Sequence, residues 1–337
     1  MEYETLIRKG NPTPGDVHVN TALTNFSEAY VQAEQRFVAG VAFPTLPVQK
    51  QSDYYFTFSR ADFFRNTAQQ RAPTARAAES GFRVTSAGNY FCNVWAMAKL
   101  VSDEERANAD AAIRPDEDAT DYVTQQLLIA REVEFATNFM ATSKWTTDIT
   151  GVSGTPSSGQ VKQWNDSTAT PIEDIWEGKA TILQRTGLPA NTLVVGYPVW
   201  KELVNHSQTV DRVKAGQTPG APAVLTRQWL AQILELDRVL VMEAAYNTAI
   251  EEATASYSFI GNKVALLCHT APRPGLRTPS AGYNVVWTGY QGASANGIRI
   301  LRYREDARHS DVIEGESAFS LKLISADLGY FWTSIVA

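Results

Sequence analysis

Cysteine and histidine, the residues that most often build redox and metal sites, are scarce in this sequence. It contains two cysteines and four histidines in 337 residues. Cys92 and Cys268 lie far apart in apolar, strand-like stretches, which predicts two buried thiols rather than a redox pair or metal ligands. The histidines are dispersed, and the surroundings of His309, near Asp311, favour a solvated turn over a metal site. We therefore expect no metal and no cofactor.

Catalytic motifs and long apolar runs are absent as well. No phosphate-binding loop, dinucleotide-binding glycine pattern, zinc-protease motif, nucleophile elbow or EF-hand loop occurs. No stretch approaches the roughly 20 apolar residues that span a membrane, and the first residues lack the regions of a signal peptide. The net charge of −6 disfavours nucleic-acid binding through a basic surface. These absences predict a soluble protein that is not an enzyme and does not contact a membrane.

The most distinctive feature that is present is a polar excursion between two aromatic, β-branched segments. Residues 54–58 and 90–96 predict strands, while residues 60–88 carry five arginines and too few apolar side chains for a core of their own. A segment that extends away from the core of its own chain is typical of one that contacts a neighbouring chain. The residues expected to make that contact are Arg60, Phe63, Phe64, Arg65, Arg71, Arg76 and Arg83.

A long helix is predicted to follow an acidic link. Acidic residues after Pro115 favour a helix start because they complement the positive end of the helix dipole, and the charged run over residues 103–118 is interpreted as a helix cap and a solvated face. Apolar residues recur in two stripes over residues 119–142, which predicts a helix packed on more than one side. Its expected core residues are Tyr122, Leu127, Ile129, Val133, Phe135 and Phe139.

The sequence after the long helix predicts a mixed α/β lobe followed by a series of strands. Thr170 and Glu173 form a capping-box pattern at the start of a helix that Gly187 ends. The face of this helix expected to be buried comprises Ile172, Ile175, Trp176, Ile182 and Leu183. Further predicted elements are a strand at 193–195, a helix from Pro198, a helix over 226–236, a strand at 239–241, strands at 257–260 and 264–268 about a Gly261-Asn262 turn, and strands at 283–290, 298–303 and 317–324.

The order of these parts resembles the major capsid protein family of tailed phages, whose shell fold is called Hong Kong 97-like. Segments similar to a subfamily of phage coat proteins are spread over nearly the whole chain. They are VQKQSD (48–53), RAP (71–73), RANAD (106–110), NTLVVG (191–196), ATASYSF (253–259), TPSAGY (278–283) and DLGY (327–330). These segments identify a family by pattern, and none of them is a chemical motif.

The resemblance implies an α+β chain that assembles into a shell. Its parts would be an N-terminal arm (1–45), an E-loop (46–99) lying over an adjacent subunit, a P-domain (100–189) with a spine helix at 119–142, an A-domain (190–290) around the shell's five- and six-fold axes, and returning P-domain strands (291–337). The implied function is that of a major capsid protein, which forms hexamers and pentamers of the icosahedral head shell around packaged double-stranded DNA. The alternatives are an encapsulin-like compartment and a phage tail or connector protein.

The resemblance also implies partners and a mode of cohesion. A separate scaffolding protein, a portal protein and a cement or decoration protein are the expected partners, with DNA enclosed non-specifically. Assembly would take place in the host cytoplasm, and the protein would then reside in the virion. Some family members cross-link an E-loop lysine to an asparagine on a neighbour, but residues 51–98 contain no lysine. A non-covalent shell is therefore expected, held by arginine–carboxylate contacts led by Arg60, Arg65, Arg71 and Arg76, by apolar burial and by strand additions.

Overall fold

The structure is a computed structural model that describes residues 32–58, 60–109, 113–215, 226–275, 278–291 and 297–337. The helices are α1 (Arg60–Phe63), α2 (Asp103–Asn108), α3 (Pro115–Phe139), α4 (Pro171–Thr186), α5 (Tyr197–Asn205), α6 (Ser207–Ala215), α7 (Arg227–Ile233) and α8 (Thr288–Gln291). The strands are β1 (Thr45–Val48), β2 (Ser52–Phe58), β3 (Val84–Phe91), β4 (Asn93–Ser102), β5 (Asp148–Val152), β6 (Gln160–Lys162), β7 (Thr192–Gly196), β8 (Arg238–Met242), β9 (Ala245–Asn247), β10 (Tyr257–Phe259), β11 (Ala265–Cys268), β12 (Gly282–Trp287), β13 (Ile298–Glu305), β14 (Ser310–Leu323) and β15 (Gly329–Thr333).

A six-stranded mixed sheet forms the centre of the molecule, in the order β6-β5-β15-β11-β7-β8. One face packs against α4, α5 and α7, so that Leu193 and Val195 of β7 join that core. The opposite face packs against α3 and the chain that precedes β1, so that Val194 joins the second core. Because both faces are covered, every residue of β7 is buried, as expected for a strand with a continuous apolar run.

A five-stranded sheet lies under α3, and its long strand β14 pairs with β12, β13 and β4. Gly315 of β14 faces the helix, and a Cβ atom at that position would lie 2.4 Å from Val123 Cγ1 and 2.9 Å from Leu127 Cδ1. The absence of a side chain therefore lets α3 rest directly on the sheet. Both β13 and β14 extend beyond the strands predicted at 298–303 and 317–324.

Helix α3 begins at Pro115, where a helix start was predicted, and ends at Phe139 and not at residue 142. Its two apolar stripes are buried to different extents. Leu127, Phe135 and Phe139 are buried, whereas Tyr122 is 45% exposed and the prediction of Tyr122 as a core residue is wrong. Ile129 and Val133 are half-buried. The more deeply buried stripe faces β14 and the segment before β1, whereas Tyr122 faces outward on the single chain.

Helix α4 ends as predicted and begins differently. Gly187 adopts the left-handed conformation and donates its N–H to the Leu183 carbonyl at 2.7 Å. The Thr170 side chain makes no capping bond. The Ile172 N–H instead donates to the Gln208 side chain at 3.1 Å, so a residue of α6 replaces the predicted capping box. Of the predicted buried face, Ile172, Ile175 and Ile182 are buried, Trp176 is half-buried and Leu183 is exposed.

Two local predictions in the last third of the chain are also wrong. Strands β10 and β11 do not pair with each other across Gly261-Asn262, since β10 pairs with β9 and β11 pairs with β7 and β15. The stretch predicted as one strand over 283–290 leaves the sheet at Trp287 and continues as α8. At that point a Cβ atom on Gly289 would lie 2.2 Å from the Gln49 carbonyl oxygen. Long-range packing decides both outcomes.

Candidate intersubunit contact surface

The polar excursion is a two-stranded ribbon with an irregular tip. Strands β2 and β3 pair antiparallel from Ser52 with Phe91 to Phe58 with Val84, with an irregularity between Tyr55 and Thr57. At the base of the ribbon, the Cys92 N–H donates to the Gln51 carbonyl at 2.9 Å, and the Gln51 side chain donates back to the Cys92 carbonyl at 3.1 Å. This reciprocal pair fastens the ribbon where it leaves the body. The predicted strand at 90–96 is divided at Cys92 between β3 and β4.

Large apolar side chains are exposed along this ribbon. Tyr54 and Phe56 on β2 are 70% and 65% exposed, and Phe91 on β3 is 54% exposed. Near the tip, the tilted rings of Phe63 and Phe82 contact each other with centroids 4.9 Å apart, yet both remain more than half exposed. Several large exposed apolar side chains on one ribbon are typical of an interaction surface, and contact with a neighbouring chain stays a prediction.

One aromatic residue of the tip contacts its own chain. The Phe64 ring lies 3.0 Å from the position that a Cβ atom on Gly187 would occupy, so it rests over the C-terminal end of α4. Phe64 nevertheless stays 60% exposed. Because this contact is made by one edge of the ring, most of the Phe64 surface is available to another molecule.

The predicted arginines fall into two groups. Arg83 and Arg65 form ion pairs with Asp62 at 3.4 and 3.7 Å, and Asp62 also accepts the Arg83 backbone N–H at 3.1 Å. Arg71 and Arg76 are exposed, and within the described part of the chain neither has an ion-pair partner. The side chain of Arg60 lies outside the described residues. Contact of these arginines with a neighbouring chain stays a prediction.

An ion-pair network holds the acidic link, residues 103–118, against the five-stranded sheet. This network was not predicted from the sequence. Its members, on α2, α3, β13 and β14, are Asp103, Arg106, Asp116, Arg302, Arg304 and Asp311. Arg304 binds Asp103 through two bonds of 2.6 and 2.5 Å, which lowers the pKa of Asp103. A hydrogen bond from Arg302 lowers the pKa of Asp311. The acidic link is therefore one half of a structural network and not merely a helix cap with a solvated face.

Sequence analysis could have anticipated part of this network. Arg302 and Arg304 are two residues apart and lie on the same face of a strand, and the strand register places Arg304 opposite Asp311. Alternating arginines in a predicted strand, followed by an aspartate on the next strand, were the available signal. The partners Asp103 and Arg106 are about 200 residues away in sequence, and nothing local indicates that pairing.

A buried carboxylate on α3 was also missed. Glu132 is 0% exposed, and its Oε2 accepts the backbone N–H groups of Val38 and Ala39 at 2.9 and 2.8 Å. Burial raises the pKa of Glu132 to about 7. Position 132 lies three residues before Phe135 on the same helical stripe, so periodicity alone would have placed this charge in the core.

One hollow and the two thiols of the described residues show no catalytic arrangement. The hollow of about 460 Å³, open to solvent, is lined by Asn191, Arg238 and Thr270 among others, whose polar atoms bond to one another. Burial raises the pKa of Cys92 to about 11 and that of Cys268 to about 12, so neither thiol is a thiolate at neutral pH. No group of three potential metal ligands occurs among the residues that the structure describes.

None of the helices in the described ranges is both long enough and apolar enough to cross a membrane.

The sequence is similar to a phage protein along nearly its full length. It is 22% identical over 335 residues to the major capsid protein of Burkholderia phage BcepMu, covering 94% of this chain and 96% of that protein. No protein-family model matches the chain.

Solved structures identify the fold. A phage-related protein from Bordetella bronchiseptica RB50 matches with a TM-score of 0.64 at 18% identity, covering 94% of this chain and 97% of that chain. The capsid of cyanophage P-SCSP1u matches with a TM-score of 0.62 at 11% identity, covering 94% of this chain and 93% of that chain. An encapsulin complex from Synechococcus elongatus PCC 7942 matches with a TM-score of 0.54 at 10% identity, covering 93% of each. The expected α+β fold of the Hong Kong 97-like capsid type is confirmed.

Proposed function

We propose that this chain is the major capsid protein of a tailed phage and that it self-assembles into an icosahedral head shell. The observation that carries the proposal is end-to-end similarity to a phage major capsid protein, over 94% of this chain and 96% of that protein, together with a capsid fold over the same length. A protein that shared only a domain with capsid proteins would not align over both full lengths.

The parts of the shell fold are assigned on the same basis. The ribbon within residues 46–99 is the E-loop that lies over an adjacent subunit, and α3 (Pro115–Phe139) is the spine helix of a P-domain that takes in residues 100–189 and 291–337. The six-stranded sheet brings β7, β8 and β11 from residues 190–290, the proposed A-domain, together with β5, β6 and β15. The N-terminal arm is assigned to residues 1–45, of which 1–31 lie outside the described residues.

The architecture suits a subunit that must occupy several nearly equivalent environments. Two buried cores and an ion-pair network make the body stiff, while the ribbon carries exposed aromatic side chains on a base held by the Gln51–Cys92 pair. A subunit held by several neighbours leaves only when all of its contacts break together, so weak individual interfaces yield a durable shell. Arg71 and Arg76 would supply ionic contacts across the boundary between subunits.

Shell cohesion is proposed to be non-covalent. No lysine lies within residues 51–98, and the guanidinium of arginine is not a usable amine nucleophile. Denaturing electrophoresis of mature particles should therefore give a single monomer band. A ladder of covalent oligomers would contradict this proposal.

The proposed partners follow from the proposed role. Copies of the chain form hexamers and pentamers, a separate scaffolding protein guides assembly in the host cytoplasm, and a portal protein occupies one vertex. A cement or decoration protein is a further candidate partner. Double-stranded DNA would be enclosed without specific contacts, in keeping with the net charge of −6, and no enzymatic activity is proposed.

An encapsulin-like compartment is the second candidate, because an encapsulin shares the fold. A tail or connector protein is a third, and it would form tubes or rings. The contents of the particles decide between the first two. Particles purified from the native host and treated with nuclease should retain protected double-stranded DNA if the proposal is correct. Particles that hold protein cargo and no protected DNA would favour the compartment.

A further inference from the structure

One turn before β1 packs into the core beneath α3. In this turn the N–H groups of Val41 and Ala42 both donate to the Val38 carbonyl at 2.9 Å. Val38, Ala39 and Ala42 are buried and belong to the core beneath α3. The turn therefore fixes the chain that precedes β1 against the body.

Two side chains from different elements hold the two ends of the turn. At its N-terminal end, Glu132 of α3 accepts the Val38 and Ala39 N–H groups at 2.9 and 2.8 Å. At its C-terminal end, Arg238 of β8 donates to the Val41 and Ala42 carbonyls, each at 2.8 Å. An acceptor oxygen at the free N–H groups and a guanidinium donor at the free carbonyls satisfy the backbone groups at the two ends of the turn. The turn thus links α3 to the six-stranded sheet.

The two charged groups differ in how well they are satisfied. Arg238 also donates to Thr192 and Thr270 at 3.2 and 3.1 Å. Glu132 is fully buried, and its Oε1 has no hydrogen-bond partner among the described residues. Ionisation of the Glu132 carboxyl is therefore energetically costly.

The charged groups around Glu132 do not compensate for its burial. The field of Arg131 favours the ionised carboxylate, but the Arg131 guanidinium is directed over the Phe319 ring at 5.5 Å, and Glu34 acts on Arg131 in turn. Burial is the largest influence on Glu132 and outweighs both backbone hydrogen bonds and Arg131.

We propose that Glu132 is a pH-operated catch for the Val38–Ala42 turn. While this carboxyl carries its proton, the turn stays docked on α3. When the proton is lost, the turn detaches at its Val38 end and remains attached through Arg238. This inference concerns one chain and does not depend on the proposed function.

The direction of the effect follows from linkage. The carboxyl has a pKa of about 7 when docked, against an ordinary value of 4.5, so the docked state binds the proton more tightly. Docking is therefore strongest below pH 4.5, weakens as the pH rises to about 7 and is constant above that. The difference between the two pKa values corresponds to a change of about 300-fold in the docking equilibrium.

Hydrogen–deuterium exchange of the full chain tests the catch. Protection of the Val38 and Ala39 amides, corrected for the intrinsic pH dependence of exchange, should fall by about 70-fold between pH 5 and pH 8, because the rest of the change lies below pH 5. Amides of β7 provide the internal reference and should keep constant protection. In Glu132→Gln the side-chain carbonyl can still accept both N–H groups but cannot ionise, so protection at Val38 and Ala39 should not depend on pH.

A matched control is Glu134→Gln on the same helix, where the Glu134 side chain bonds to Asn138 and not to the turn. This variant should retain the pH profile of the wild type. Constant protection in the wild type, or a wild-type pH profile in Glu132→Gln, would overturn the proposal. If Glu132→Gln does not fold, amide protection in the wild type still tests the proposal. Protection in the turn should depend on pH, and protection in β7 should not.

Discussion

Glu132 and Arg238 lie on different layers of the molecule and hold opposite ends of one backbone turn. Glu132 of α3 accepts N–H groups of Val38 and Ala39, and Arg238 of β8 donates to the carbonyls of Val41 and Ala42. The helix and the six-stranded sheet are therefore joined through main-chain atoms of a third segment. A change at either residue affects how these layers are connected, although each residue contacts only its own end of the turn.

Replacing Arg238 should weaken this connection. Arg238→Ala leaves the half-buried Ala42 carbonyl without its partner, whereas the Val41 carbonyl is at an exposed contact and can bond to water. We expect the free energy of unfolding to fall by about 1–3 kcal/mol, measured by urea denaturation. Arg273→Ala, at an exposed position, is the control and should change stability little. Equal stability of the two variants would contradict the role assigned to Arg238.

The two stripes of α3 should respond differently to truncation. Phe139 is 0% exposed and contacts Phe43 with ring centroids 4.5 Å apart, so Phe139→Ala should destabilise the chain by about 3–5 kcal/mol. Tyr122 is 45% exposed, and Tyr122→Ala should leave the stability of the single chain within about 1 kcal/mol of the wild type. Denaturant unfolding of unassembled protein measures both effects. A large loss with Tyr122→Ala would show that this side chain supports the core after all.

Charge reversal at the ribbon should impair assembly and spare folding. Arg71 and Arg76 are exposed, so the double variant Arg71→Glu/Arg76→Glu should unfold at the temperature of the wild type. It should form few or no particles by sedimentation, because repulsion replaces attraction at the boundary between subunits. A wild-type yield of particles would exclude these two arginines as important contacts.

The charge control for that experiment is Arg273→Glu, an exposed substitution outside the ribbon. It changes the net charge in the same direction and should assemble normally. Assembly of the wild type should also weaken as the salt concentration rises, because exposed ionic contacts are screened.

Acid should loosen the link between α2 and the five-stranded sheet. Asp311 lies 2.7 Å from Arg302 and 2.9 Å from Arg106, and the hydrogen bond with Arg302 is the main reason that its pKa is lowered. A lowered pKa in the folded state means that the stabilisation is present above the ordinary pKa and is lost as the pH falls through the lowered one. Asp311→Asn should lower the melting temperature at pH 7 and reduce its dependence on pH below 4. Asp118→Asn, at an exposed position on α3, is the control, and identical melting curves for the two variants would contradict this role.

Periodicity in the sequence was enough to predict α3 but not its orientation. Two stripes of apolar residues satisfied the same helical spacing, and the stripe that contains Phe135 and Phe139 is buried because it meets β14, where Gly315 leaves room. Arg131 and Glu132 share the buried side, although an expectation based on polarity assigns charged residues to the surface. Their position depends on the turn at Val38, which lies about 94 residues away in sequence.

For the ribbon formed by β2 and β3, composition alone was enough to predict the overall form. Two aromatic strands with a polar, arginine-rich middle predicted a ribbon without a core, and β2 and β3 have that form. Composition could not predict that Asp62 holds Arg65 and Arg83 and that Arg71 and Arg76 have no such partner in the described residues. Turn signals failed at Gly261-Asn262 for a related reason: β11 pairs with β7 and β15, and these long-range ladders outweigh a local hairpin.

The most direct test of the central claim is a cryo-electron microscopy reconstruction of the particles formed when the chain is expressed with its neighbouring genes. The account predicts closed icosahedral shells built from hexamers and pentamers, with the β2–β3 ribbon of each subunit lying over an adjacent subunit. Tubes, open rings, or a chain that stays monomeric under all conditions would contradict it.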